Sequence, residues 1–180
     1  MAQVFGKPIV TQEAMQARIK EMGGLISKDY QGKDLLMVGV LKGACVFFAD
    51  LVRAIPLPIQ IDFWLPTAQK NLKNPEKTVK VWPELTEKIT KRHVLLVEDI
   101  VDSGVTAKEL VAQLKKKGPA SVKICTLLSK SANREVDIEL DYVGFEIPPT
   151  FVVGYGLDYK QKYRNLPYLA ELDPTIPEKF

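Results

Sequence analysis

Three acidic side chains and a glycine turn lie close together in the middle of the chain. Glu98 and Asp99 follow the apolar run 94–97, and Asp102 opens the turn 102–106, in which hydroxyl-bearing residues flank Gly104. Carboxylates can engage ligand hydroxyls, a metal ion or a reacting proton, whereas a glycine turn before a helix points backbone N–H groups and the helix dipole at an anion. Three negative charges beside an anion site are unfavourable without such partners, so we interpret this stretch as a functional site rather than a plain turn.

The elements around this stretch alternate between strand and helix. Four consecutive apolar residues at 94–97 suit a parallel strand covered on both faces, and such strands present functional groups at their carboxyl ends. The same order occurs earlier, where the apolar run 35–40 leads into the loop 41–43 and a helix. We therefore predict an α/β fold with a twisted, mostly parallel sheet and helices on both faces. The predicted strands are 35–40, 59–64, 94–97, 121–128 and 151–155, and the predicted helices are 11–30, one carrying Phe47 and Val52, and 107–117.

The first predicted helix carries an internal weakness. Apolar residues recur at helical spacing from Met15 to Tyr30, and Thr11 is a suitable N-cap. The pair Gly23 and Gly24 lowers helix propensity, so both an unbroken helix and one with a break or kink at this pair remain open.

Composition favours a single domain in a reducing compartment. The chain has 180 residues, of which 46% are hydrophobic and 26% charged, with a net charge of +3, which permits anionic ligands without demanding nucleic acid. Cys45 and Cys125 form no CxxC pair and are read as buried thiols. No signal peptide or membrane span is recognised, so a cytoplasmic location is expected. The single histidine, His93, starts the central strand, away from its functional end, which excludes a Ser-His-Asp triad.

The segment 98–106 resembles the phosphoribosyl pyrophosphate motif of type I phosphoribosyltransferases, in the form typical of hypoxanthine-guanine phosphoribosyltransferases. The similarity continues through the loop 41–43 and through 141–148, 151–159 and 162–167. It covers nearly the whole chain. The resemblance implies magnesium-dependent transfer of a 5-phosphoribosyl group to hypoxanthine or guanine in purine salvage, which gives IMP or GMP and pyrophosphate.

The resemblance also implies a role for each matched residue. Asp102 would accept the purine N7 proton, and Ser103, Gly104, Val105 and Thr106 would bind the 5-phosphate. Glu98 and Asp99 would bind the ribose hydroxyls, and with Asp158 they would hold Mg2+. Pyrophosphate would be bound by Leu41, Lys42 and Gly43, a loop that often contains a non-proline cis peptide bond, and by Arg164. The purine would be bound by Lys130, Phe151, Val152 and Asp158, with Lys130 donating to the exocyclic O6.

One region departs from the family pattern. The resemblance implies a single domain over 1–180 with a core of about 30–155, a flexible hood loop of about 65–84 and terminal segments that add to the hood. The family's hood usually carries a Ser-Tyr pair, whereas this chain has Ala68 and Gln69 in that place. We expect activity to survive with weaker closure, and the competing hypothesis is a protein that only binds the ligand.

A second class of function shares this fold. Some members of the fold are regulators that bind nucleic acid and sense nucleotides or phosphoribosyl pyrophosphate, and fold alone does not separate them from enzymes. A mildly basic chain that keeps Asp102 and Lys130 favours the enzyme, with small-molecule substrates and no membrane or nucleic-acid partner. The resemblance further implies a homodimer or homotetramer.

Overall fold

The computed structural model describes residues 7–69, 78–82 and 84–172. In these ranges the helices are α1 (Gln12–Tyr30), α2 (Cys45–Arg53) and α3 (Val105–Lys116), and a single 3-10 turn spans Ser131–Asn133. The strands are β1 (Lys7–Val10), β2 (Leu35–Val40), β3 (Gln60–Gln69), β4 (Thr78–Trp82), β5 (His93–Val101), β6 (Ser121–Ser129), β7 (Tyr142–Glu146), β8 (Val152–Val153) and β9 (Leu169–Glu171).

A six-stranded sheet forms the centre of the molecule, in the order β4-β3-β2-β5-β6-β7. The five strands from β3 to β7 in this order are parallel, and only β4 runs antiparallel to its neighbour β3. The predicted fold class is therefore confirmed. Because parallel strands end at one edge, the loops after β2, β5 and β6 are brought together there.

Helices cover both faces of this sheet. Side chains of successive strand residues point to opposite faces, so alternate residues of the buried strands enter two different cores. One core joins β2 and β5 to α1 and α2, through Leu35, Met37, Leu95, Val97, Phe47 and Leu51. The other joins the same strands to α3, through Leu36, Val38, Val94, Leu96, Leu110 and Leu114. Burial on both faces explains why these strands are continuously apolar.

Helix α1 is unbroken through its glycine pair. Its N-cap is Thr11, whose Oγ1 accepts a hydrogen bond from the N–H of Ala14 at 3.2 Å. A Cβ on Gly23 would lie 2.5 Å from the carbonyl oxygen of Ala54, just after α2. Gly23 therefore lets the two helices approach closely, and packing offsets its low helix propensity.

Two strands differ from the sequence prediction. β5 continues beyond Val97 to Val101, so the acidic pair lies inside the strand rather than after it. The predicted strand 151–155 is wrong in length, because β8 contains only Val152–Val153. The chain then turns through Gly154 and Tyr155, with φ of 100° and 49°, conformations that do not continue a strand.

The predicted hood loop 65–84 contains more regular structure than expected. β3 extends to Gln69 and pairs with β4 as an antiparallel hairpin, with Leu65 opposite Trp82. The side chains of Ala68 and Gln69 and the residues 70–77 lie outside the described part of the chain. A second sheet of three antiparallel strands, β1-β9-β8, joins the two terminal segments. That these segments form a hood over the site stays a prediction. None of the helices in the described ranges has the length and apolar character needed to cross a membrane.

Candidate active site

A cleft of about 350 Å³ lies at the carboxyl ends of the central strands. It is formed by three loops and by the end of β5, and eight of its polar or charged side chains come from residues that the sequence singled out. Residues from the predicted set that line it are Leu41, Lys42, Gly43, Glu98, Asp99, Asp102, Ser103, Gly104, Thr106, Asp158 and Arg164. The cleft thus brings together chain segments that are more than 100 residues apart in sequence.

The turn after β5 has the geometry of an anion cradle. Gly104 has φ of 83° and is the N-cap of α3, which begins at Val105. A residue with a Cβ is strained in this conformation, which explains the glycine. The Ser103 Oγ lies 3.4 Å from the N–H of Val105, and Val105 itself occupies the first helical turn. The positive end of the α3 dipole therefore points toward the cleft, beside the hydroxyl of Thr106.

The acidic pair is held in a low-dielectric environment. Glu98 is only 5% exposed, and burial together with the charge of Asp99 raises the pKa of Glu98 well above its ordinary value. Burial raises the pKa of Asp99 to about 6, against the lowering effects of backbone N–H groups and of Arg164. Such shifts are typical of functional carboxylates, because a ligand or cation must compensate the charged form.

The loop after β2 packs directly against Asp99. The peptide bond between Leu41 and Lys42 is cis, as the resemblance implied. A Cβ on Gly43 would lie 1.7 Å from the Oδ2 atom of Asp99, so no larger residue fits at this position without movement. The N–H of Leu41 also donates to the carbonyl oxygen of Trp64 at 2.7 Å, which ties the loop to β3.

Arg164 reaches the cleft from the far end of the chain. Its Nη2 forms an ion pair with Asp158 Oδ1 at 2.7 Å, and its Nη1 donates to the carbonyl oxygen of Gly156 at 2.7 Å. A Cβ on Gly156 would lie 2.1 Å from the carbonyl oxygen of Gly43. The backbone of this turn therefore packs on the loop 41–43, and the guanidinium is fixed beside it.

Tyr155 makes a contact between two segments of the site that the sequence prediction missed. Its hydroxyl donates to the carboxylate of Asp50 on α2, and burial raises the pKa of this phenol well above its usual range. The bond ties the turn that supports Arg164 to the helix that follows the loop 41–43. The glycines on either side of Tyr155 are a turn signal that the predicted strand 151–155 passed over, and no local pattern indicates that Asp50 is the partner of Tyr155.

Of the four predicted purine residues, Asp158 lines the cleft, whereas Lys130, Phe151 and Val152 are not part of its lining. Lys130 is 8% exposed, and its Nζ lies 3.4 Å from Asp102 Oδ2. Phe151 is 48% exposed, with its ring edge-on to Tyr159 at 5.7 Å between centroids. Val152 is buried in β8. Lys130 and Asp102 are thus brought together, and the roles of Lys130, Phe151 and Val152 in binding a purine stay predictions.

The carboxylates present suit a hard cation. Among the side chains in the described ranges, no group of three or more His, Cys, Asp or Glu residues is placed to hold a metal ion. Asp99 and Asp158 line the same cleft, and Mg2+ is commonly bound by one or two carboxylates together with substrate phosphates. The donor set therefore fits Mg2+ shared with a phosphorylated substrate. The raised pKa of Glu98 favours its neutral form, which is a poorer ligand.

Gly43→Ala is expected to damage the site, because the new methyl group would occupy the position of the Asp99 carboxylate. Overpacking of this kind costs about 1 to 3 kcal/mol and displaces the loop or the acid. We expect the displaced loop or acid to stabilise the transition state less, by at least about 1.4 kcal/mol. That loss corresponds to a fall in catalytic efficiency of about 10-fold or more. The matched control is Gly24→Ala in α1, where a Cβ would meet nothing within 4 Å. It should keep full activity and unfold at a slightly higher temperature. Equal activities in the two variants would contradict the close packing of Gly43 on Asp99.

Comparisons with known proteins agree with this geometry. Residues 7–160 match the family model of the phosphoribosyl transferase domain. The chain is 44% identical to the hypoxanthine-guanine phosphoribosyltransferase of Mycobacterium tuberculosis, over 93% of this chain and 86% of that protein. It is 41% identical to the Bacillus subtilis protein of the same name, over 96% of both. A crystal structure of a hypoxanthine phosphoribosyltransferase from Staphylococcus aureus has a TM-score of 0.89 and 41% identity, over 93% of this chain and 91% of that one.

Proposed function

We propose that this chain, which belongs to the hypoxanthine-guanine phosphoribosyltransferase family, transfers the 5-phosphoribosyl group of phosphoribosyl pyrophosphate to hypoxanthine or guanine. The products would be IMP or GMP and pyrophosphate, which makes it an enzyme of purine salvage. The observation that carries the proposal is the single cleft in which the cradle 102–106, the acidic pair and the loop 41–43 meet.

In the proposed reaction, the bond between the ribose C1 and the pyrophosphate oxygen breaks, and pyrophosphate leaves with the electron pair. The purine N9 forms the new bond to C1, and the N7 proton passes to the carboxylate of Asp102. Positive charge develops on the sugar between two anionic groups, so the site must hold both groups in place. The cradle 102–106 would hold the 5-phosphate, and Lys42 and Arg164 would hold pyrophosphate.

The remaining residues complete this assignment. Glu98 and Asp99 would bind the ribose hydroxyls, which compensate the burial of their carboxyl groups. Asp158 and Asp99 would hold Mg2+, whose charge favours departure of the pyrophosphate. Lys130 would donate to the purine O6, Phe151 would stack on the ring, and the Val152 backbone would meet the base edge.

We also propose a single domain over 1–180 that works in the cytoplasm as a homodimer or homotetramer. Its core would be about 30–155, with the hairpin of β3 and β4 as part of the hood. The terminal segments, joined in the sheet β1-β9-β8, would contribute the rest of the hood.

The test is pyrophosphate release by the purified protein with phosphoribosyl pyrophosphate and Mg2+, with hypoxanthine, guanine, xanthine or adenine as acceptor. Release with hypoxanthine or guanine that stops when EDTA is added is the expected result. Reactions without a purine measure the hydrolysis background. A protein that bound phosphoribosyl pyrophosphate but released no pyrophosphate with any purine would contradict the proposal and favour the regulator.

A further inference from the structure

A segment that lies outside the cleft braces the cradle from behind. The Arg134 Nη1 donates to the carbonyl oxygen of Asp102 at 3.0 Å, and its Nη2 donates to Ser129 Oγ at 3.0 Å. The N–H of the next residue, Glu135, donates to the carbonyl oxygen of Ser103 at 2.9 Å. Two successive carbonyl groups of the cradle are therefore bonded to the same segment.

These two bonds decide where the cradle's N–H groups point. In a planar trans peptide the C=O and the N–H point in opposite directions. Because the carbonyl groups of Asp102 and Ser103 are bonded to Arg134 and Glu135, the N–H groups of Ser103 and Gly104 point away from that segment. An anion cradle requires this arrangement, with donors turned inward and carbonyl oxygens turned away from the phosphate.

Packing adds to the hydrogen bonds. A Cβ on Gly104 would lie 2.9 Å from Arg134 Cδ and 3.0 Å from Ile138 Cγ2. The aliphatic part of the arginine thus covers the glycine that permits the turn, while its guanidinium fixes the adjacent peptide group. Arg134 is partly buried and holds two acceptors on two different elements, the end of β6 and the turn after β5. A lysine has no planar fork with which to hold both.

We propose that Arg134 is a positioning residue for the 5-phosphate cradle: it holds the Asp102 carbonyl outward, so that the Ser103 and Gly104 amides face the phosphate and the Asp102 side chain faces the purine. This inference rests on the proposed function. Arg134 does not touch the substrate, and it acts through the backbone of Asp102. Lys130, four residues earlier, contacts the carboxylate of the same aspartate at 3.4 Å. The backbone and the side chain of Asp102 are therefore fixed by one short segment.

The test compares Arg134→Ala and Arg134→Lys with wild type in two measurements. Calorimetric titration with IMP measures capture of the 5-phosphate, and initial rates measure kcat and the KM for phosphoribosyl pyrophosphate and for hypoxanthine separately. We expect both variants to bind IMP about 10- to 100-fold more weakly, the effect of losing hydrogen bonds to a charged group. The KM for phosphoribosyl pyrophosphate should rise by a similar factor, whereas the KM for hypoxanthine should change little. Added guanidinium ion at a non-denaturing concentration should partly restore Arg134→Ala and not Arg134→Lys.

Controls separate the possible failures. Lys116→Ala removes one positive charge from the exposed end of α3 and should behave as wild type. If wild type transfers no phosphoribosyl group, the proposed function fails. If wild type is active and Arg134→Ala has the same IMP affinity and kinetic constants as wild type, the proposed function stands and only the inference about Arg134 fails. A uniform loss of active protein, with an unchanged KM in the folded fraction and no response to guanidinium, would also overturn it, because this is the signature of a purely structural role.

Discussion

Asp102→Asn should lower turnover by about 100- to 10,000-fold, the range typical of a lost general base. The amide has the shape of the carboxylate but cannot accept the N7 proton. Asp102 is suited to the role by its position, because its side chain is 48% exposed at the cleft while its backbone is fixed by Arg134. The measurement is kcat for IMP formation at saturating concentrations of both substrates.

The binding steps should survive this substitution. The cradle amides and the loop 41–43 are unchanged in Asp102→Asn, so the IMP affinity and the unfolding temperature should stay near the wild-type values. The control is Asp34→Asn, which removes an exposed carboxylate that pairs with Arg92 at the opposite edge of the sheet, while Arg92 keeps a second carboxylate, that of Glu87, at 3.8 Å. An Asp102→Asn variant within a factor of two of wild type would exclude Asp102 as the base.

Local patterns in the sequence were sufficient to predict four of the six strands of the central sheet, β2, β3, β5 and β6, and the turn at Gly104. Continuous apolar runs predicted β2 and β5 because both faces of these strands are buried, and Gly104 predicted the turn because its φ of 83° disfavours a side chain. In the same way, Thr11 predicted the start of α1. Each of these signals depends on residues within a few positions of one another, which is the range over which a sequence pattern is informative.

The contacts that hold the site together join residues that are far apart in sequence. Tyr155 bonds to Asp50, and Arg134 bonds to the backbone of Asp102, across 105 and 32 residues of chain respectively. Neither pair has a spacing that a period of helix or strand would reveal. Gly23 was read as a possible break in α1 because the residue that it packs against, Ala54 just after α2, is also far away in sequence. Pairing of β3 with β4 was missed because the alternation in β4 (Thr78–Trp82) covers only five residues and lies in a lysine-rich segment that was read as one polar loop.

Lys130 should make the enzyme reject adenine. Its ammonium donates hydrogen bonds and accepts none, so it suits the O6 of hypoxanthine or guanine and opposes the amino group of adenine. Lys130 is 8% exposed and lies 3.4 Å from the Asp102 carboxylate, so water does not readily replace a missing partner. Sites built around a buried polar group reject the wrong analogue by about 10,000-fold or more, and we expect this ratio of kcat/KM between hypoxanthine and adenine.

Lys130→Gln should reduce this discrimination, because an amide side chain can accept from the adenine amino group as well as donate to O6. Most of the change should come from lost activity with hypoxanthine, since the charge-assisted hydrogen bond to O6 and the contact with Asp102 disappear together. Lys116→Gln makes the same chemical change on the exposed end of α3 and should keep the wild-type ratio. The measurement is kcat/KM for hypoxanthine and adenine in all three proteins. A wild-type enzyme that used adenine as readily as hypoxanthine would remove Lys130 from base recognition, whereas an unchanged ratio in Lys130→Gln would assign the discrimination to other groups around the base.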